Sequence, residues 1–165
     1  MSNIEIIYES IGTIHTPFEA TSGMPIQPHG AQGTEGMIEL NPELITGLVD
    51  IEGFSHLILV YHFHQVKGYK LSVLPFMDTV AHGIFATRAP VRPNPIGMSV
   101  VKFIKVEDNH LYFEGADMLD GTPLIDIKPF FVKYDNRPDA VSGWLDQKQG
   151  IDITKIRSDQ RFSEK

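Results

Sequence analysis

The chain has 165 residues, 42 % of them apolar and 21 % charged, the balance of one globular domain with a core of ordinary size. It has no cysteine, which excludes disulfides, zinc–thiolate sites and cysteine nucleophiles, and no run of 18 apolar residues, so no membrane span is expected. Its net charge of −7 argues against a coat of basic residues for general nucleic-acid binding but leaves room for a local basic patch. The opening Met-Ser-Asn-Ile-Glu-Ile lacks a basic region followed by an apolar stretch, so a cytoplasmic location is expected.

Loose alternation of isoleucines predicts a strand over Ile4 to Ile14. Residues 16–36 are rich in Gly, Pro, Gln and Thr and read as a long loop. Met37 to Leu40 fits a short strand. Asn41-Pro42 is a helix start, with Leu44, Ile45, Leu48 and Val49 as its buried face and Gly53 just past its end. The run from His56 to Val66 is apolar on both faces and predicts a central strand. Further strands are expected at Gly83 to Thr87, Met98 to Val106, Leu111 to Ala116 and Leu124 to Lys128. Turns are expected at Asp108-Asn109 and Asp120-Gly121. No alternating strand–helix pattern occurs. The expectation is a mainly β single-domain β-barrel with one short helix and long loops: a barrel over residues 1–140 and a polar extension over 141–165.

One stretch interrupts this pattern. Thr87 to Ser99 holds three prolines, Arg88, Arg92, Asn94 and Gly97. Each proline fixes its own φ and biases the preceding residue toward extended backbone. The stretch therefore reads as a stiff loop that presents Arg88, Arg92 and Asn94 between two strands. His62 and His64 share one strand face, a spacing open to a metal, but no third ligand is evident. Asp120-Gly121 suits a turn, or a carboxylate facing a ligand with hydroxyl or ammonium donors, and Asp117 and Asp126 read as solvated. Phosphate-loop, nucleophile-elbow and His-Glu-x-x-His signatures are absent.

These stretches resemble a known family. Gly12-Thr-Ile with Pro17, Gln27-Pro28, Phe54-Ser-His-Leu, Phe63-His-Gln, Gly83-Ile-Phe-Ala-Thr-Arg, Arg92-Pro-Asn-Pro-Ile-Gly-Met-Ser and Leu119-Asp-Gly-Thr-Pro-Leu-Ile-Asp-Ile-Lys-Pro follow the TsaA-like (TrmO) family in order and spacing. The resemblance implies an S-adenosylmethionine-dependent methyltransferase acting on N6 of threonylcarbamoyladenosine beside the tRNA anticodon. It also implies a single β-barrel and a homodimer. By the same resemblance the cofactor contacts Ile26, Gln27, Pro28, His64, Gln65, Arg88, Met98, Met118, Leu119, Asp120 and Gly121. Arg88 is expected on the methionine carboxylate, Asp120 on the ribose or ammonium, and Met98 and Leu119 on either side of the adenine. Arg92 and Asn94 are the expected substrate contacts. His64, Asp120 and Asp126 are candidate bases among which the sequence does not choose, and no metal is required. Arg88, Arg92, Lys102, Lys105, Lys128 and Lys133 are the expected basic face toward tRNA. The rival readings are a non-catalytic barrel that binds an adenosine-containing ligand and a metal-dependent hydrolase using His62 and His64.

Overall fold

The computed structural model describes residues 4–148 and 150–162. Six antiparallel strands close a barrel: β1 (Gly12–His15), β2 (Glu35–Leu40), β3 (His56–His62), β6 (Ile96–Glu107), β7 (His110–Glu114) and β8 (Thr122–Pro129). The order around it is β1-β2-β7-β6-β3-β8, and β8 pairs back onto β1. Closure leaves no strand edge in the barrel to aggregate. Two short strands, β4 (Ser72–Val73) and β5 (His82–Gly83), form a separate ribbon. The mainly β, single-barrel expectation holds.

Alternation on each strand sends every second side chain inward. Ile14, Ile38, Leu57, Leu59, Val101, Leu111, Phe113 and Leu124 fill the barrel and are almost completely excluded from solvent. The fit is tight: a Cβ on Gly36 would stand 2.4 Å from the Phe113 ring. A second, smaller core of Val73, Ile84, Ala89 and Val91 lies beneath the proline loop, with Val66 and Phe162 packed against it.

Three expectations are corrected. The strand predicted over Ile4 to Ile14 begins only at Gly12, where pairing with Leu40 and Leu124 starts. Ile4, Ile6, Ile7 and Tyr8 are exposed and outside any strand. The helix at Pro42 is a 3₁₀ segment ending at Leu48. Asn41 does not cap it: its side chain donates to the Ser10 carbonyl instead. Leu44, Ile45 and Val49 stay exposed, and only Leu48 packs on the core. Gly83 to Thr87 is mostly 3₁₀ turn rather than strand. A short α-helix, α1 (Val132–Asp135), follows β8.

The antiparallel order positions the site. β1, β3 and β7 end at the barrel mouth where β2, β6 and β8 begin, so the loops 16–34, 63–95 and 115–121 all gather there. The 41–55 connection and the Asp108-Asn109 hairpin, with Asp108 at φ 52°, lie at the opposite end.

Candidate functional site

The mouth opens on a cavity of about 610 Å³, a size that suits a drug-sized or cofactor-sized ligand. Its walls come from all three mouth loops, the start of β6 and the C-terminal segment. Ile26, Gln27, His64, Gln65, Arg88, Met98, Met118 and Leu119 all line it. Their convergence follows from the barrel order: stretches far apart in sequence leave one end of one closed sheet.

The proline loop is a packed wall rather than a solvated turn. Ala89 and Val91 are buried in the second core. Arg92 holds the loop from within: its Nη1 donates to the carbonyls of Thr87 (2.7 Å), Ile84 (3.2 Å) and Ala89 (3.3 Å). Arg92 lines the cavity but spends this nitrogen on backbone. Arg88 is exposed at the cavity wall and donates to the Gln27 side-chain oxygen at 2.8 Å, joining the loop to the 16–34 connection.

Other sequence candidates sit elsewhere. Pro28, Asn94, Asp120, Gly121 and Asp126 do not line the cavity. Asp120 accepts from the Thr16 amide at 3.0 Å and lies 3.4 Å from His15 Nδ1, so it tethers the 16–34 loop. Gly121 adopts φ 75° and donates its amide to Ile14, which makes the turn structural. Asp126 faces outward and pairs with Lys128 at 2.7 Å. Of the three candidate bases, only His64 meets the cavity. Partial burial and the neighbouring His62 hold its pKa below the ordinary histidine value, so it is neutral at pH 7. Among the described residues no group of three or more His, Asp or Glu side chains could hold a metal.

The expected basic face is also partly spent. Lys105 and Lys128 pair with Glu107 and Asp126 at 2.7 Å, and Lys102 lies 3.8 Å from Glu114.

Sequence reasoning missed two features. The first is a polar relay in the barrel mouth. The Ser99 hydroxyl donates to Asp117 Oδ1 at 2.7 Å, and the Tyr61 hydroxyl lies 2.9 Å from Ser99 Oγ. With the Ser99 proton directed at Asp117, Tyr61 is the donor in the second bond. Asp117 is therefore not solvated: it lines the cavity, and burial pushes its carboxyl up to about 7 against the opposing pull of Ser99 and Arg88. Burial, then the Asp117 charge, holds the Tyr61 phenol far above its ordinary value, so it stays a donor. Gly97 makes room for this arrangement, since a Cβ there would stand 2.2 Å from the Tyr61 ring. The Ser at the end of the Ile-Gly-Met-Ser stretch was the available sequence signal: Ser99 is a polar residue on the inward face of a strand.

The second is the C-terminal segment. Ser158 exchanges backbone hydrogen bonds with Gly23 and Met24, while its hydroxyl donates to Thr21 and accepts from the Met24 amide. Phe162 packs edge-on to Phe76, and Trp144, Ser158, Asp159 and Phe162 line the cavity. The tail is thus part of the site's wall.

Comparison with known proteins agrees with this architecture. The family model for the tRNA-methyltransferase O N-terminal domain matches residues 13–136. A probable S-adenosyl-L-methionine-binding protein of Pyrococcus abyssi is 49% identical over 157 residues, covering 95% of this chain and 85% of that protein. A tRNA (adenine(37)-N6)-methyltransferase of Mus musculus is 35% identical over 138 residues, covering 79% of this chain and 32% of that enzyme. The crystal structure of TrmO from Pseudomonas aeruginosa superposes with a TM-score of 0.73 at 36% identity, covering 86% of this chain and 63% of that one. The chain thus spans less than two thirds of the mouse enzyme and of the solved TrmO.

Proposed function

The chain belongs to the tRNA-methyltransferase O N-terminal domain family, and from that premise we propose that it transfers a methyl group from S-adenosylmethionine to N6 of threonylcarbamoyladenosine beside a tRNA anticodon. The observation that carries this reading is the cavity at the barrel mouth. It gathers most of the side chains the family resemblance points to, and it is built for a ligand with both charges and a flat apolar body. Arg88 offers a planar fork to a carboxylate. Met98, Met118 and Leu119 offer apolar surface to an adenine. The donor set and the volume fit the cofactor.

When bound, the cofactor supplies an electrophilic methyl carbon on a positively charged sulfur. What remains for the protein is alignment, and holding two reactants in line can supply several kcal/mol, up to about 7–11 in favourable cases. The acceptor N6 is acylated and must shed its proton as the new bond forms. We assign that role to His64, which lines the mouth and whose pKa is held below the ordinary histidine value.

A non-catalytic barrel that binds an adenosine-containing ligand is the second reading. It is favoured by one observation: Arg92 and three of the expected basic lysines are already engaged within the chain. One pair of assays separates the two. Wild type and Arg88→Ala are titrated with S-adenosylmethionine and then assayed for label transfer to tRNA carrying the modified adenosine. Cofactor affinity at least about tenfold weaker in Arg88→Ala is expected, together with transfer by the wild type. Binding without transfer would establish the second reading, and unaltered affinity in Arg88→Ala would remove Arg88 from the site.

A further inference from the structure

Two groups of opposite charge face the same cavity, near enough for Arg88 to favour the ionised form of Asp117 but not paired with it. Arg88, at the rim, is bonded to the neutral Gln27 amide, and Asp117, at the floor, is bonded to the neutral Ser99 hydroxyl. Among the described residues neither forms an ion pair. A ligand that suits this cavity carries a carboxylate at one place and a positive charge deeper in.

We propose that Asp117 is the residue by which the cavity distinguishes the sulfonium cofactor from the neutral thioether left after methyl transfer. The inference rests on the cofactor reading above and adds a specificity role for a residue which that reading does not use. S-adenosylmethionine and S-adenosylhomocysteine share the same adenosine, ammonium and carboxylate, so Arg88 and the apolar walls treat them alike. They differ by a methyl group and one positive charge. A carboxylate in a cavity wall shared with Tyr61, Met118 and Leu119 has lost much of its hydration, and a cation beside it offsets that loss. The thioether offers none, so the carboxylate beside it takes up a proton instead. Spent cofactor would be released more readily for this reason.

The local construction supports a carboxylate held for charge recognition. The hydroxyl chain from Tyr61 through Ser99 delivers a proton donor to Asp117 Oδ1 and fixes the rotation of the carboxyl. The Tyr61 ring is itself held against Gly97 and edge-on to Phe63 at 5.6 Å. The other titratable or charged groups around the cavity are His64 beyond β3, Arg88 and Arg92 on the proline loop, and Asp159 in the C-terminal segment. Asp159 is paired with Arg161 at 2.7 Å and Arg92 with backbone carbonyls, which leaves Asp117 as the carboxylate available to a cation.

The test is calorimetric titration of the whole chain with each of the two ligands, from about pH 6 to about pH 8.5. Wild type is expected to favour S-adenosylmethionine by about tenfold or more at the alkaline end, with the preference narrowing as Asp117 takes up a proton. In Asp117→Asn the preference should fall to near unity at every pH, with S-adenosylhomocysteine affinity retained. Ser99→Ala keeps the carboxylate but removes a hydrogen bond that favours its charged form. The pH at which preference narrows should therefore move upward in that variant. An unchanged preference in Asp117→Asn overturns the proposal, as does equal weakening of both ligands, which would place the carboxylate on the shared ammonium. Should Asp117→Asn fail to fold, an unmoved pH in Ser99→Ala overturns it. A wild type that binds neither ligand removes the cofactor reading itself, a result distinct from binding without discrimination.

Discussion

At the scale of single residues, the mouth of the barrel depends on what is missing from Gly97. The Tyr61 ring occupies the space a side chain would need, and only from that position does its hydroxyl reach Ser99. Gly97→Ala would push a methyl group to within 2.2 Å of a buried ring. Overpacking of this kind costs about 1–3 kcal/mol, and the melting temperature should fall by about 2–12 °C. The same change should weaken S-adenosylmethionine binding, because the relay to Asp117 loses its first donor. A melting temperature within error of wild type would show that the ring moves freely and is no part of a fixed relay. The glycine was legible in the sequence as part of a proline-rich motif, but its reason was not. A contact with Tyr61, thirty-six positions earlier, arises only when β3 and β6 pair with Tyr61 opposite Gly97. Asp117 was misread for the same cause: an aspartate near a turn looks solvated until the strands around it close.

At the scale of elements, strands with one inward face were readable and irregular segments were not. β6, β7 and β8 alternate in sequence because the barrel buries every second residue, and they fall close to where that alternation places them. Ile4 to Tyr8 alternate as well but find no partner strand, since backbone bonds to the neighbours of β1 start only at Ile11 and the paired register at Gly12. Asn41-Pro42 is a start signal shared by α- and 3₁₀-segments, and Leu44, Ile45 and Val49 of the expected apolar face find no core to pack on. The proline loop was recognised as stiff, yet the source of its stiffness is tertiary. Arg92 Nη1 lies within hydrogen-bonding reach of three carbonyls and binds the loop to the turn at Ile84–Ala86. Arg92→Met keeps the apolar stem and removes these bonds. Charged hydrogen bonds are worth about 1.5–3 kcal/mol each when well buried. Arg92 is only partly buried, so a total loss of about 1–3 kcal/mol is expected in chemical denaturation. Arg92→Lys should recover part of it, because all three bonds leave one nitrogen and an ammonium also has three donors, though its shorter stem brings them less close to the carbonyls. If instead Arg92 serves mainly to contact tRNA, the methionine variant will be as stable as wild type and defective only in transfer.

At the scale of the whole molecule, the barrel supplies the frame and the C-terminal segment closes one wall, so the cavity depends on how that segment is fastened. Its main polar clasp is Asp78. This carboxylate is only 2 % exposed and is met by Lys148 at 2.6 Å and His82 at 2.7 Å, with the amides of Thr79 and Val80 also donating. The His82 ring stacks on Trp144 at 4.4 Å, and the Trp144 indole donates to the Ala86 carbonyl. The bond from Lys148 first, then that from His82, holds the Asp78 carboxyl well below its usual range. A carboxyl whose pKa is lower in the folded state contributes stability that is fully present above its unfolded value, about 4, and is lost as pH falls below it toward the folded value. The clasp should therefore hold at neutral pH and loosen only in acid. Trp144 is the one tryptophan in the chain, so its emission reports the clasp directly. Asp78→Asn should shift that emission to the red at pH 7, whereas wild type should approach the same spectrum only below about pH 4. Barrel circular dichroism recorded alongside will show whether the clasp opens ahead of global unfolding. Because Trp144 and Phe162 line the cavity, the same variant should also bind S-adenosylmethionine more weakly. Identical emission from wild type and Asp78→Asn at neutral pH would mean that apolar packing of Phe162 on Phe76, rather than the charge cluster, keeps the segment in place.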